Sequence, residues 1–378
     1  MKNLFLLPAI ILLWLSIPIT LEGLQITEVY PLPEIDPEVT LYYNGYLYIA
    51  DRSGPSIAKM NVNNGSYILN ELSGRDKCLW LYNIEAENTI FAYTTDEGQN
   101  INYLDKININ TLEVVGSSIV NGAVIHVSSI PSSDYLLVLC KEGEWSYLLS
   151  INYLNMEVLG IEILQSNPQY IAINTLGNKA YISHTGGGYV SFWNIIKEPM
   201  FIITHDFDLS VGDLPGEIEY SVLSNEIFVC CIKSGYIMVI DANDGTIIDS
   251  IQTGERSFRI DYDQVHNYLW VGRGTDDSTL NAEVKVVNLN YSPPIIQIFS
   301  FPERLLDGRL SGNCLKYVAS VGNWDKNDLK YYIWPIDATT SIDNFMEYNG
   351  NILYITFDNA GCAYTTDPKN RNIIKIAP

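Results

Sequence analysis

The chain has 378 residues and a net charge of −22, with 22 Lys and Arg against 44 Asp and Glu. That balance argues against recognition of nucleic acid or of an anionic membrane through net charge. Hydrophobic residues make up 47% and charged ones 17%, with 26 tyrosines; this composition suits β-strands and excludes a disordered or mainly helical chain.

The N-terminus is Met-Lys-Asn followed by an apolar run from Leu4 to Ile19, broken by Pro8 and Pro18. With Lys2 as its positive end, residues 1–23 read as an export signal processed near residues 20 to 24, leaving a mature single domain over 24–378. The expected location is therefore secreted or cell-surface. Of the six cysteines, Cys140, Cys230 and Cys231 lie inside apolar strand runs and no CxxC spacing occurs. They are expected to be buried thiols, not disulfide partners or metal ligands. Two glycosylation sequons are present, Asn64-Gly-Ser66 and Asn290-Tyr-Ser292; the first also reads as a hairpin turn and the second is followed by Pro293.

Strand signals begin at Thr40 with TLYYNG, YLYIADRSGP, SIAKMNVNNG and SYILNEL, a run of four strands separated by turn residues. The second of these strands is the clearest marker. It recurs as FAYTTD at Phe91, YLLVLC at Tyr135, AYISHT at Ala180, IFVCCI at Ile227, LWVGRG at Leu269, KYVASV at Lys316 and AYTTDP at Ala363. Eight units at a spacing of roughly 45 residues predict an all-β, eight-bladed β-propeller with four-stranded blades. Seven blades are the alternative if the irregular unit from about Glu303 to Ala338 is an elaborated loop. The last unit stops after its third strand, and Leu24 to Tyr30 is predicted to supply its missing fourth strand and close the ring.

One stretch of this pattern, Pro168 to Lys197, carries Pro168, Ala172, Gly177, Ala180-Tyr-Ile-Ser183, Gly187, Val190 and Asn194 in order, and it resembles the YVTN-type propeller repeat. The C-terminal stretch is similar to an NHL or gluconolactonase-like repeat, with Asp358, Gly361, Tyr364 and Asp367 at the pattern positions. The resemblance implies an exported or cell-surface propeller. Its gluconolactonase side implies an alternative activity, a metal-dependent lactonase-like hydrolase whose divalent cation is held by Glu, Asp and Asn at the channel mouth. Glu38, Glu217 and Asn351, near the starts of inner strands, are the candidates for that set.

If each blade runs from centre to rim, the turns after its first and third strands share one face, the bottom. The loops after its second and fourth strands share the other, the top. All eight arginines fall on top segments or at the beginnings of inner strands: Arg52, Arg75, Arg256, Arg259, Arg273, Arg304, Arg309 and Arg371. Guanidinium groups gathered there present paired donors for a carboxylate, sulfate or phosphate. Asp51, Asp76, Glu255, Asp276, Glu303 and Asp307 lie among them, and ion pairing between loops is the competing reading. His184, Trp145 and Trp324 join the arginines as candidate ligand-binding residues of the top face. Four histidines, with no GxSxG, HExxH or phosphate-binding motif, argue against a serine- or histidine-dependent hydrolase. No cofactor is expected, although Thr275-Asp-Asp277 and Asp325-Lys-Asn327-Asp328 have the oxygen ligands for calcium. The leading expectation is a non-enzymatic, monomeric binding protein whose partner is a protein or a surface polysaccharide.

Overall fold

The computed structural model describes residues 25–82, 88–274, 282–301, 305–310, 316–323, 328–335, 345–348 and 354–377. The apolar segment read as an export signal lies outside them. The described residues form thirty-two strands grouped in eight four-stranded antiparallel sheets. In chain order, β1 (Gln25–Pro31) precedes a first sheet of β2 (Pro37–Tyr43), β3 (Tyr46–Asp51), β4 (Ser56–Asn61) and β5 (Tyr67–Glu71). The second is β6 (Lys77–Tyr82), β7 (Thr89–Asp96), β8 (Ile101–Asn108) and β9 (Val114–Val120), and the third is β10 (Ala123–Ser129), β11 (Tyr135–Glu142), β12 (Trp145–Asn152) and β13 (Glu157–Leu164). The fourth is β14 (Pro168–Ile173), β15 (Lys179–His184), β16 (Tyr189–Ile196) and β17 (Ile202–Ser210), and the fifth is β18 (Pro215–Ser221), β19 (Glu226–Cys231), β20 (Tyr236–Asp241) and β21 (Ile247–Gln252). The sixth is β22 (Ser257–Asp263), β23 (Tyr268–Arg273), β24 (Ala282–Asn288) and β25 (Ile295–Phe301). The irregular unit forms β26 (Leu305–Leu310), β27 (Lys316–Asn323), β28 (Asp328–Pro335) and β29 (Phe345–Tyr348).

The last sheet is β30 (Ile355–Phe357), β31 (Ala363–Asp367) and β32 (Asn372–Ala377), with β1 as its outer strand. β1 runs antiparallel to β32 from Gln25 opposite Ala377 to Pro31 opposite Asn372. The two ends of the described chain thus meet in one sheet.

Burial explains why the second strand of each unit is the clearest sequence marker. β3, β7, β11, β15, β19 and β23 are buried along nearly their whole length, because each is covered by a neighbouring sheet on both faces. A strand covered on both faces reads as a continuous apolar run. The outer strands β13, β17 and β21 are largely exposed and carry a weak pattern for the same reason. Seven apolar clusters fill seams between adjacent sheets: Phe91 and Leu104 meet Leu136 and Val138 in one, and Trp270 stacks on Tyr317 with ring centroids 4.9 Å apart in another. Among the described residues seven seams carry such a cluster. Cys78, Cys140, Cys230 and Cys231 are buried free thiols in these clusters, and burial pushes the thiol of Cys140 up to about 12.

The bottom turns between third and fourth strands are one repeated device. In five blades an Asn or Asp at the end of the third strand accepts the backbone N–H two residues on: Asn61 from Asn63, Asn108 from Asn110, Asn152 from Leu154, Asp241 from Asn243 and Asn288 from Asn290, at 2.7 to 3.0 Å. In the first four of these, three residues later, a second polar side chain repeats the bond: Asn64 to Ser66, Thr111 to Glu113, Asn155 to Glu157 and Asp244 to Thr246, at 2.8 to 3.3 Å. Such side chains satisfy backbone donors that a tight turn would otherwise strand. The residue after the second acceptor takes a positive φ, which glycine supplies at Gly65 and Gly245. At Leu112 and Met156 side-chain burial offsets the strain of the same backbone state.

Candidate binding surfaces

The top loops tie neighbouring elements together with most of the arginines assigned to them. Arg75, between β5 and β6, makes a bidentate pair with the fully buried Asp105 of β8, Nε to Oδ2 and Nη2 to Oδ1 both 2.7 Å. Thr94 and Ser117 donate to the same carboxylate at 2.5 and 2.6 Å, and the Arg75 guanidinium lies 3.6 Å from the centre of the Tyr103 ring. Arg273 pairs with Glu283 at 3.2 Å and donates to the Glu255 carbonyl at 2.8 Å, while Lys285 shares Glu283. Arg371 donates to the Pro33 carbonyl at 3.0 Å. Arg256 sits in a left-handed turn with its side chain exposed, and its N–H reaches the Ile232 carbonyl. Arg52 is 57% exposed and meets Glu38 at 3.3 Å. Arg304 and Trp324 lie outside the described residues.

His184 ends β15, and its side chain turns into the fold. Its ring nitrogens lie 2.8 Å from the Gln165 carbonyl and 2.7 Å from Ser191 Oγ, which also accepts from Trp193 Nε1 at 2.8 Å. The ring is buried, which lowers its pKa, and it stacks on Tyr189. This relay locks the second and third strands of the fourth blade together, as Thr94, Asp105 and Arg75 do in the second. Trp145 behaves differently: it opens β12 on a top turn, is 61% exposed, and makes no ring contact or hydrogen bond among the described residues.

The inner strands carry a second concentration of polar groups, of which the sequence reading had named Glu217, Arg259 and Arg309 but not Glu219, Asp261 or His126. Glu217 of β18 accepts from the Ile260 N–H at 2.8 Å, and its other oxygen lies 3.4 Å from Arg259 and 3.6 Å from Arg309. Arg309 is also 3.8 Å from Asp261. Glu219, one alternation along β18, is held well above the usual carboxylate range by burial, then by the neighbouring Glu217 and Asp261, with Arg309 opposing. His126 of β10 packs edge-on against Tyr170, ring centroids 5.6 Å apart. Burial, reinforced by the positive charge of Arg309, pushes it down to about 4, so it is neutral at pH 7. Charged residues at i and i+2 in otherwise apolar strands, Glu217 with Glu219 and Arg259 with Asp261, were the available signal. The guanidinium groups of Arg259 and Arg309 and the carboxyl groups of Glu217 and Asp261 pair here and join the inner strands of three consecutive blades.

Glu38 and Glu217, proposed to share a metal, pair with different arginines, and Asn351 lies outside the described residues. Among the described residues no three His, Cys, Asp or Glu side chains converge as a metal site. The calcium candidates 275–277 and 325–327 also fall outside. A cleft of about 300 Å3 opens on the top face between Thr185–Gly188 of the fourth blade and Asp213, Leu214 and Lys233 of the fifth. Leu214 is 41% exposed at its edge.

No protein-family model and no curated protein matches this chain. Solved structures do. A functionally unknown protein from Desulfotomaculum acetoxidans is 13% identical, with a TM-score of 0.61 over 82% of this chain and all of its own. The β-propeller domain of Cps50 (Swd1) from Myceliophteria thermophila is 12% identical, with a TM-score of 0.58 over 94% of this chain and 99% of its own. Hydrazine synthase from Kuenenia stuttgartiensis is 18% identical, with a TM-score of 0.51 over 65% of this chain and 73% of its own. At these identities the likeness establishes a shared β-propeller fold and nothing of activity.

Proposed function

We propose that this chain is an exported β-propeller interaction module that takes a protein partner on its top face. The observation that carries the reading is Trp145, a large side chain that is 61% exposed on a top turn and makes no ring contact among the described residues. Exposed tryptophan and arginine are the side chains that anchor protein interfaces, and Arg256, Arg52 and Leu214 stand on the same face. An acidic polysaccharide fits less well, because Arg75, Arg273, Arg259 and Arg309 are engaged by carboxylates of the chain itself. The lactonase-like alternative has no observation in its favour among the described residues.

The test is a photo-crosslinking residue placed at position 145 and, separately, at Val265, a bottom turn residue that is 72% exposed. Both variants are expressed in the source cell with the native N-terminus. An adduct of defined mass from position 145 and none from 265 is expected. Adducts from 265 alone, or none from either, would overturn the top-face reading, and retention of the full-length chain inside the cell would overturn export.

A further inference from the structure

We infer that Asn64 is a competent acceptor for an N-linked glycan and that Asn290 is not; the inference rests on the proposal of export. Both sequons occupy the bottom turn between third and fourth strands, in the first and sixth blades, so the fold offers an internal comparison. At Asn64 the side-chain oxygen takes the whole structural task, accepting from the Ser66 N–H at 3.0 Å and from Ser66 Oγ at 2.7 Å. The amide nitrogen donates no hydrogen bond among the described residues, and the side chain is exposed. The equivalent position of the fifth blade is Asp244, which makes the same bond to Thr246 at 2.8 Å with no amide nitrogen at all. The turn therefore needs an acceptor oxygen at this position and nothing more. The turn is also firmly seated: a methyl group on Gly65 would come within 2.3 Å of the Tyr30 ring of β1.

Asn290 is arranged the other way round. Its amide nitrogen donates to the His266 carbonyl at 2.8 Å and to Asn288 Oδ1 at 3.0 Å, and its oxygen accepts from Asn267 at 3.3 Å. A glycan on that nitrogen would cost the turn its ties to the neighbouring hairpin, and Pro293 follows the sequon serine.

The chemistry is transfer from an oligosaccharide carried on a lipid pyrophosphate. Asn64 Nδ2 attacks the anomeric carbon, the new C–N bond forms as the C–O bond to pyrophosphate breaks, the lipid pyrophosphate leaves with the electron pair, and Nδ2 gives up one proton to the transferase. The hydroxyl that donates to Oδ1 favours this step by drawing electron density toward the oxygen and making the N–H more acidic. The product carries its glycan on the bottom of the disc, away from Trp145.

The full chain is expressed in a eukaryotic secretory cell with its own N-terminus and, in parallel, behind an established secretion signal. Intact mass is read before and after enzymatic glycan release. One glycan is expected, lost in Asn64→Asp and Ser66→Ala and kept in Asn290→Asp, with the melting temperature of Asn64→Asp matching that of wild type made in a cell without the glycosyl transferase, where Asn64 keeps its amide. Secreted protein with no glycan, or a glycan lost only in Asn290→Asp, would overturn the inference. So would a lowered melting temperature in Asn64→Asp, because the amide nitrogen would then serve the fold. A chain that is secreted and glycosylated only behind the foreign signal would overturn export while leaving the Asn64 assignment standing.

Discussion

Asp105 is a fully buried carboxylate whose two oxygens are held by Arg75, Thr94 and Ser117. Removing one partner of such a pair strands a charge in a site that water cannot reach, which costs more than the pair contributes while intact. Arg75→Ala is expected to destabilise the protein by about 3–5 kcal/mol in urea unfolding, and Arg75→Met with Asp105→Leu by clearly less. A single-mutant loss below about 1 kcal/mol would show a pair open to solvent. Glu219 makes a second prediction, through pH. Its folded pKa lies above the unfolded value, so over that interval the folded state binds the extra proton and stability falls as pH rises. Glu219→Gln should therefore match the wild type near pH 4 and exceed it at pH 7; identical pH profiles would mean that the carboxyl is solvated. The arginines show how far residue types carry an argument. Their gathering on top segments was visible in the sequence, but whether each faces solvent or a carboxylate depends on partners well away along the chain, such as Glu283 for Arg273, Asp105 for Arg75 and Glu217 for Arg259.

At the level of strands, legibility followed burial. The second strands are covered on both faces and announce themselves as apolar runs, whereas outer strands such as β17, with IITHDFDLS, are indistinguishable from surface loops by pattern alone. Turn chemistry was legible where glycine marks it, as at Asn44-Gly45 and Asn63-Asn-Gly65. It was hidden where Leu112 or Met156 occupies the same left-handed position, since only their buried packing shows why a bulky residue is tolerated. The inner-strand cluster was named only in part: Glu217 and Arg259 stood out as candidates for other roles, whereas Glu219 and Asp261 look like solvated charges until neighbouring inner strands are set side by side. The closing strand gives the prediction that belongs to this scale. Deleting residues 24–30 leaves β32 as an exposed edge and uncovers the cluster around Tyr364 and Ile373. The truncated chain is expected to melt at least 10 °C lower or to oligomerise in light scattering, and an unchanged melting curve with a monomeric mass would show that β1 is dispensable.

For the whole molecule, the two faces of the disc divide the work. The bottom is built from economical turns of one repeated design, and the top from loops whose charges mostly answer one another, leaving Trp145, Leu214 and Arg256 exposed. The crosslinking and glycan experiments are therefore complementary, one marking the face a partner covers and the other the face left clear. The all-β propeller class and its four-stranded blades came through in the sequence because successive sheets repeat the signal. The surface proposed for a partner has no such repetition, and the proposal depends on first setting aside the arginines with internal partners.

The pairing of β1 with β32 also sets a schedule. β1, the first of the described strands, bonds to β32, the last of them, with Thr27 and Lys375 in contact across 348 positions. At roughly 5–20 residues per second, synthesis keeps β1 waiting for tens of seconds before its partner exists. Until then the ring stays open at this joint and the nascent chain remains slack at its leading end. The described ring can close at this joint only after β32 has been made.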